Sequence, residues 1–167
     1  MNKCFGKIKD FVPVRDEGTR VVVSYGKEKV NKTYAEWREV PLSKKQVPNV
    51  GLKEVKEAVI NDINSRVKEA IVSGFVWNDK PVWLSVENQL NFSQSIAPVL
   101  LKIGEQEDGT PVTHEFATAE ELKEFSTACA TWKQQCLQAG YQEKDGIDWS
   151  IYEALYPMAK NENENNV

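Results

Sequence analysis

The sequence predicts an α+β domain in which two long amphipathic helices pack on a small antiparallel sheet made of β-hairpins. Three observations predict it. Two apolar stripes recur at helical spacing, three pairs of short β-branched or aromatic runs are each split by a polar turn, and no strand–helix–strand rhythm of a parallel sheet occurs.

In residues 19–25 the side chains Val21, Val23 and Tyr25 alternate, Gly26 to Lys29 supply turn chemistry, and an extended pattern resumes from Val30 to Val40 with Tyr34 and Trp37. This predicts a first hairpin. Residues 41–51 hold two prolines, a glycine and no period, and predict a connector. From Leu52 the apolar positions Val55, Val59, Ile63, Val67 and Ile71 fall three or four apart, predicting a helix that Gly74 closes in the left-handed conformation. Phe75 to Trp77 and Val82 to Leu84 flank Asn78-Asp79-Lys80-Pro81, a second hairpin.

Ser85 followed by Glu87 suits an N-cap, with a helix over 86–97 that Pro98 breaks. Residues 99–103 and 112–116 predict strands joined by the acidic loop 104–110. Thr118 and Glu121 match a capping box, in which each side chain satisfies the other's backbone amide. Leu122, Phe125, Cys129, Trp132 and Cys136 then form a second stripe, ended at Gly140, and Asp148 caps a last short helix. The domain organisation expected is a hairpin unit with connector over 1–51, an α+β domain over 52–156, and a disordered polar tail over 157–167.

With 167 residues, 41% hydrophobic content and five Trp, the chain has material for a core without staples. No apolar run reaches membrane-spanning or signal-peptide length, so membrane insertion and export are not expected. The three cysteines read as reduced: Cys129 and Cys136 lie too far apart on one helix to bridge, and Cys4 is near the terminus. The net charge of −4 is uneven. Residues 1–51 carry 11 Lys/Arg against 6 Asp/Glu, a net +5, while residues 52–167 carry 10 against 19, a net −9.

The residue types that carry chemistry are sparse. The one histidine, His114, falls on a strand face with Val112 and Phe116 and reads as structural, and no Cys pair accompanies it, so no metal site is expected. Neither a nucleophile elbow nor a phosphate or dinucleotide loop is present, and Glu105, Glu107, Asp108, Asp145 and Asp148 read as turn and cap residues. No catalytic residue and no cofactor are assigned. A pI near 5.2 disfavours nucleic acid. The candidate interaction residues are Trp37, Trp77, Trp83, Lys27, Lys29 and Lys32. Trp37, between Glu36 and Arg38, is the expected exposed anchor; Trp77 and Trp83 lie at the second hairpin, where aromatics serve a core, an interface or a sugar platform.

The stretch from Gly74 through Trp77, Pro81 and Trp83 to Gln89 and Asn91, the Asp108-Gly109-Thr110 turn, the Thr118-capped helix and Asp145-Gly146-Ile147-Asp148-Trp149 resemble an uncharacterised domain family. That family occurs in gut anaerobes, prophages and tailed bacteriophages, often near tail-fibre genes, and the resemblance spans about residues 52–152. Glycine is usual there where Asp79 stands. The family carries no assigned reaction, so no catalytic residues follow from it. The resemblance implies a non-enzymatic phage or prophage protein, a virion component or tail-fibre assembly accessory, that contacts other phage structural proteins or copies of itself. Its expected place is the host cytoplasm during assembly, then the virion. The alternative is a glycan-binding module for host-surface recognition.

Overall fold

A computed structural model describes residues 3–156, and the α+β class is observed. The expected tail, 157–167, lies outside the described residues. The chain gathers into two compact units: residues up to Asp62 together with those from Glu143 on, and Ile63–Gln142.

The first unit is built on a four-stranded antiparallel sheet of β1 (Lys3–Lys7), β2 (Val14–Asp16), β3 (Arg20–Lys29) and β4 (Tyr34–Ser43), in the order β1-β4-β3-β2. The first hairpin exists, but its turn lies further along the chain than the sequence suggests. Gly26 (φ +63°) sits at a bulge inside β3, where the register shifts between Tyr25 and Glu28, and the reversal is made beyond Val30. There the Asn31 side-chain oxygen accepts from the amides of Thr33 (2.8 Å) and Tyr34 (2.9 Å). A side chain that folds back on its own backbone makes the turn, so no glycine is needed. β4 continues through Pro41 to Ser43, shortening the expected connector.

On β3, Val21, Val23 and Tyr25 are buried. The Tyr25 hydroxyl donates to Asp62 at 2.5 Å, and the buried Tyr152 hydroxyl donates to the Ser24 carbonyl at 2.6 Å. Tyr152 belongs to α4 (Ser150–Glu153), preceded by Asp148, whose Oδ1 accepts from the Ser150 amide at 3.1 Å. Trp149 directly precedes the helix and offers it no side-chain cap, so Asp148 acts from one residue further back.

Helix α1 (Leu52–Ser73) keeps the expected stripe: Val55, Val59, Ile63 and Ile71 are buried. Gly74 follows it, but not in the left-handed conformation. What the position requires is room, since a Cβ would stand 2.6 Å from the Ala70 carbonyl oxygen and 3.0 Å from the Trp132 ring. In the second unit β5 (Phe75–Trp77) and β6 (Lys80–Val82) form a hairpin around Asn78 (φ 48°) and Asp79 (φ 61°). Two consecutive left-handed residues match the twist of the strands, and Lys80 and Pro81 lie in β6 rather than in the turn.

Helix α2 (Val86–Gln94) is three residues shorter than expected, because Ser95 is already extended (ψ 148°) ahead of a cis Ala97–Pro98 bond. β7 (Val99–Glu105) pairs with β8 (Pro111–Phe116), and the Trp83 amide donates to the Ile103 carbonyl at 2.8 Å, tying the two hairpins together. Helix α3 (Ala119–Asp145) runs five residues past the expected stop. Gly140 is an interior position where a Cβ would lie 2.5 Å from Val67 Cγ2, so the glycine serves close helix packing instead of termination. The core of this unit joins Ile71, Phe75, Leu84, Phe92, Ile103, Phe116, Phe125 and Cys129.

Candidate functional site

Ser85 is the N-cap of α2, and its hydroxyl accepts from the Asn88 amide at 3.2 Å. That cap starts the helix directly after the Trp83-Leu84 pair. Residues 88 and 91 then fall on one helical face, and with Trp83, Ser95 just past the helix and the Lys102–Glu105 end of β7 they line an open groove of about 680 Å³. The Asn88 side-chain amide donates to the Trp83 carbonyl at 2.8 Å, fixing the first amide of the face beside the tryptophan. Lys102 pairs with Glu105 across three residues of β7. Gly104 lets β7 approach: a Cβ there would stand 2.2 Å from the Pro81 carbonyl oxygen.

The same stretch of chain exposes apolar side chains. Trp83 (39%), Val86 (85%), Leu90 (54%), Ile96 (84%) and Leu100 (66%) are five of the eleven large apolar side chains exposed among the described residues. Val86 and Leu90 lie one turn apart on α2, so they share a face.

Trp37, expected as an exposed anchor, is buried at 6%. Its neighbours are out of reach of local sequence reasoning: Cys4 stands opposite it on β1, Phe11 packs edge-on at 6.0 Å, and the indole Nε1 donates to Glu39 at 3.1 Å. Glu39 also receives Arg15 at 3.0 Å, and this bond is the main reason its carboxyl is held below the usual range. Trp77 is half-buried, edge-on to Phe125 at 5.5 Å, with a buried Nε1 that has no hydrogen-bond partner among the described residues. Of the hairpin aromatics, Trp83 faces the groove. Lys27, Lys29 and Lys32 are exposed on the β3–β4 hairpin, and Lys27 lies over the Phe11 ring at 4.7 Å.

His114 joins β8 to the start of α3. Its Nε2 lies 2.8 Å from Glu121 Oε1, and Lys80 Nζ lies 3.4 Å from its Nδ1. The His114 bond lowers the Glu121 pKa. The capping box is altered: Thr118 Oγ1 accepts from the Glu121 amide at 3.2 Å, but the Glu121 carboxylate reaches the amide of Ala117, one residue before the expected one. Burial pushes the Cys129 thiol up to about 12, and the Cys4 and Cys136 thiols are raised as well, first by desolvation. Asp108 accepts from the Thr110 amide at 2.9 Å as a turn residue. Among the described residues no three His, Cys, Asp or Glu side chains are gathered to hold a metal, and no helix is long and apolar enough to cross a membrane.

The amides of the groove are site residues that sequence reasoning misses. The signal for them is their spacing, since Asn88 and Asn91 stand three apart immediately after a capped aromatic hairpin.

A family model described as a domain of unknown function, DUF4376, matches residues 54–160. The match covers more than half of the chain, which therefore belongs to that family. No curated protein and no solved structure matches it.

Proposed function

We propose that this DUF4376 member is a non-enzymatic contact protein of a bacteriophage or prophage, a virion component or an accessory to tail-fibre assembly. The observation that carries the contact role is the run of exposed apolar side chains from Trp83 to Leu100. Single exposed apolar residues are ordinary on a protein surface, whereas neighbouring ones on one helix face, as Val86 and Leu90 are, mark a surface kept for a partner. The viral setting comes from the sequence resemblance alone. Its partners in this reading are other phage structural proteins or copies of the same chain.

Mass spectrometry of purified particles, with affinity capture from the producing cells, tests the reading. The expected result is the chain in the particle, or a particle protein retained by it. A chain absent from particles and retaining no particle protein would refute both forms.

A second reading, recognition of glycans, is favoured by one observation: a half-exposed tryptophan at an amide-lined groove. Aromatic side chains with one face in water serve ligands that are apolar on one side and polar at the rim.

A further inference from the structure

We propose that the groove between α2 and β7 binds a neutral oligosaccharide, with Trp83 as the stacking platform and Asn88, Asn91 and Gln94 as the groups that read hydroxyls. The proposal rests on the glycan-binding reading and gives it a site.

A pyranose presents an apolar C–H face and a rim of hydroxyls, each both donor and acceptor. The indole of Trp83, 39% exposed, brings part of a flat apolar surface to the groove. Side-chain amides carry a donor and an acceptor together, the combination that matches a hydroxyl. Asn88 has already committed its Nδ2 to the Trp83 carbonyl, which leaves its Oδ1 for a ligand. The side chains of Asn91 and Gln94 have no hydrogen-bond partner among the described residues. Because the Ser85 cap and the Asn88 bond hold the first amide against the platform, less ordering is needed on binding.

Size and charge narrow the ligand. The volume of about 680 Å³ lies within the range of roughly 300–1,000 Å³ typical of small-molecule sites. Lys102 is engaged by Glu105, and Glu87 adds a further carboxylate to the lining. The groove is therefore net negative and opposes sialylated, uronate-bearing or phosphorylated sugars.

The test is an NMR titration of the full-length, isotope-labelled chain with cellotriose, maltotriose, chitotriose and lacto-N-tetraose, alongside sialyllactose and trigalacturonate. At least one neutral sugar should move the Trp83 indole N–H and the Asn88 and Asn91 side-chain resonances. Trp83→Ala should weaken that binding by about tenfold or more, and Asn91→Ala by a few-fold, the scale of one lost hydrogen bond. Trp83→Phe, which keeps an aromatic face and the packing, should retain most of it, and Val76→Ser, outside the groove lining, should change nothing. Neutral-sugar binding that survives Trp83→Ala and Asn91→Ala would overturn the groove while leaving the glycan reading intact. Preference for the acidic sugars would overturn the ligand class. Silence of the wild-type chain toward all six sugars and on a broad glycan array would overturn the groove and the glycan reading together.

Discussion

Replacing Gly104 by alanine should destabilise the second unit, although alanine is normally the safer residue. Gly104 is outside the left-handed region, so the methyl group brings no backbone strain and removes conformational freedom from the unfolded chain, a gain of about 0.4–1 kcal/mol. Against this, the new Cβ would stand 2.2 Å from the Pro81 carbonyl oxygen, 3.0 Å from its carbon and 3.4 Å from the Trp83 nitrogen. These are backbone atoms and cannot rotate aside. Relief requires β6 and β7 to part, which strains the 2.8 Å bond from the Trp83 amide to Ile103. Overpacking of this kind costs about 1–3 kcal/mol, and the weakened hydrogen bond adds about 1 kcal/mol. The net loss is about 1–3 kcal/mol, which for a chain of this length lowers Tm by roughly 3–10 °C. Thermal unfolding followed by circular dichroism measures it. An unchanged or raised Tm would refute the close approach of the two hairpins.

Three other outcomes follow from the same geometry. Asp79→Gly should raise stability by about 0.5 kcal/mol, because glycine accepts the left-handed turn position (φ 61°) without the steric cost of a side chain; a fall in the urea midpoint would contradict the turn. Glu39 has a folded pKa below its unfolded one, so its contribution is complete above the free value of about 4.3 and is lost as pH falls through the lower folded value. Glu39→Gln should therefore flatten the loss of stability on acidification in that window, and an unchanged acid profile would count against the Arg15–Glu39–Trp37 arrangement. Cys129, with its thiol pushed up to about 12, should resist iodoacetamide at neutral pH in the native chain and react on unfolding; peptide mapping that finds it alkylated natively would contradict its burial.

Periodicity makes the helices legible. Of the two stripes, Val55, Val59, Ile63, Ile71, Leu122, Phe125 and Cys129 are buried as expected and Val67, Trp132 and Cys136 are half-buried, because a repeat of three and four states which face turns inward whatever packs against it. Glycines are less legible. Gly74 does end α1, though not in the left-handed conformation, and its site is tightened by the Ala70 carbonyl and by Trp132, while Gly140 looks like a helix end in the sequence yet is set by Val67, distant along the chain. Trp37 misleads for the same reason, since its cover comes from β1 and Phe11, whose pairing leaves no local signal. The hairpin turn at Asn31 is hidden by the more conspicuous Gly26, which the strand uses for a bulge. Of the candidate site, Trp83 is legible as a hairpin aromatic. Its exposure and its amide neighbours are not, because both depend on how α2 lies along β7.

The contact role is tested most directly by a substitution on the exposed face of α2 that leaves the core untouched. Leu90→Asp changes a side chain already in water, so its thermal unfolding should match that of the wild type. Both chains, tagged and expressed in producing cells, are captured and the retained particle proteins identified. The account predicts one discrete particle protein held by the wild type and lost from Leu90→Asp. Equal retention by the two chains would contradict it, as would none by either together with absence of the chain from purified particles.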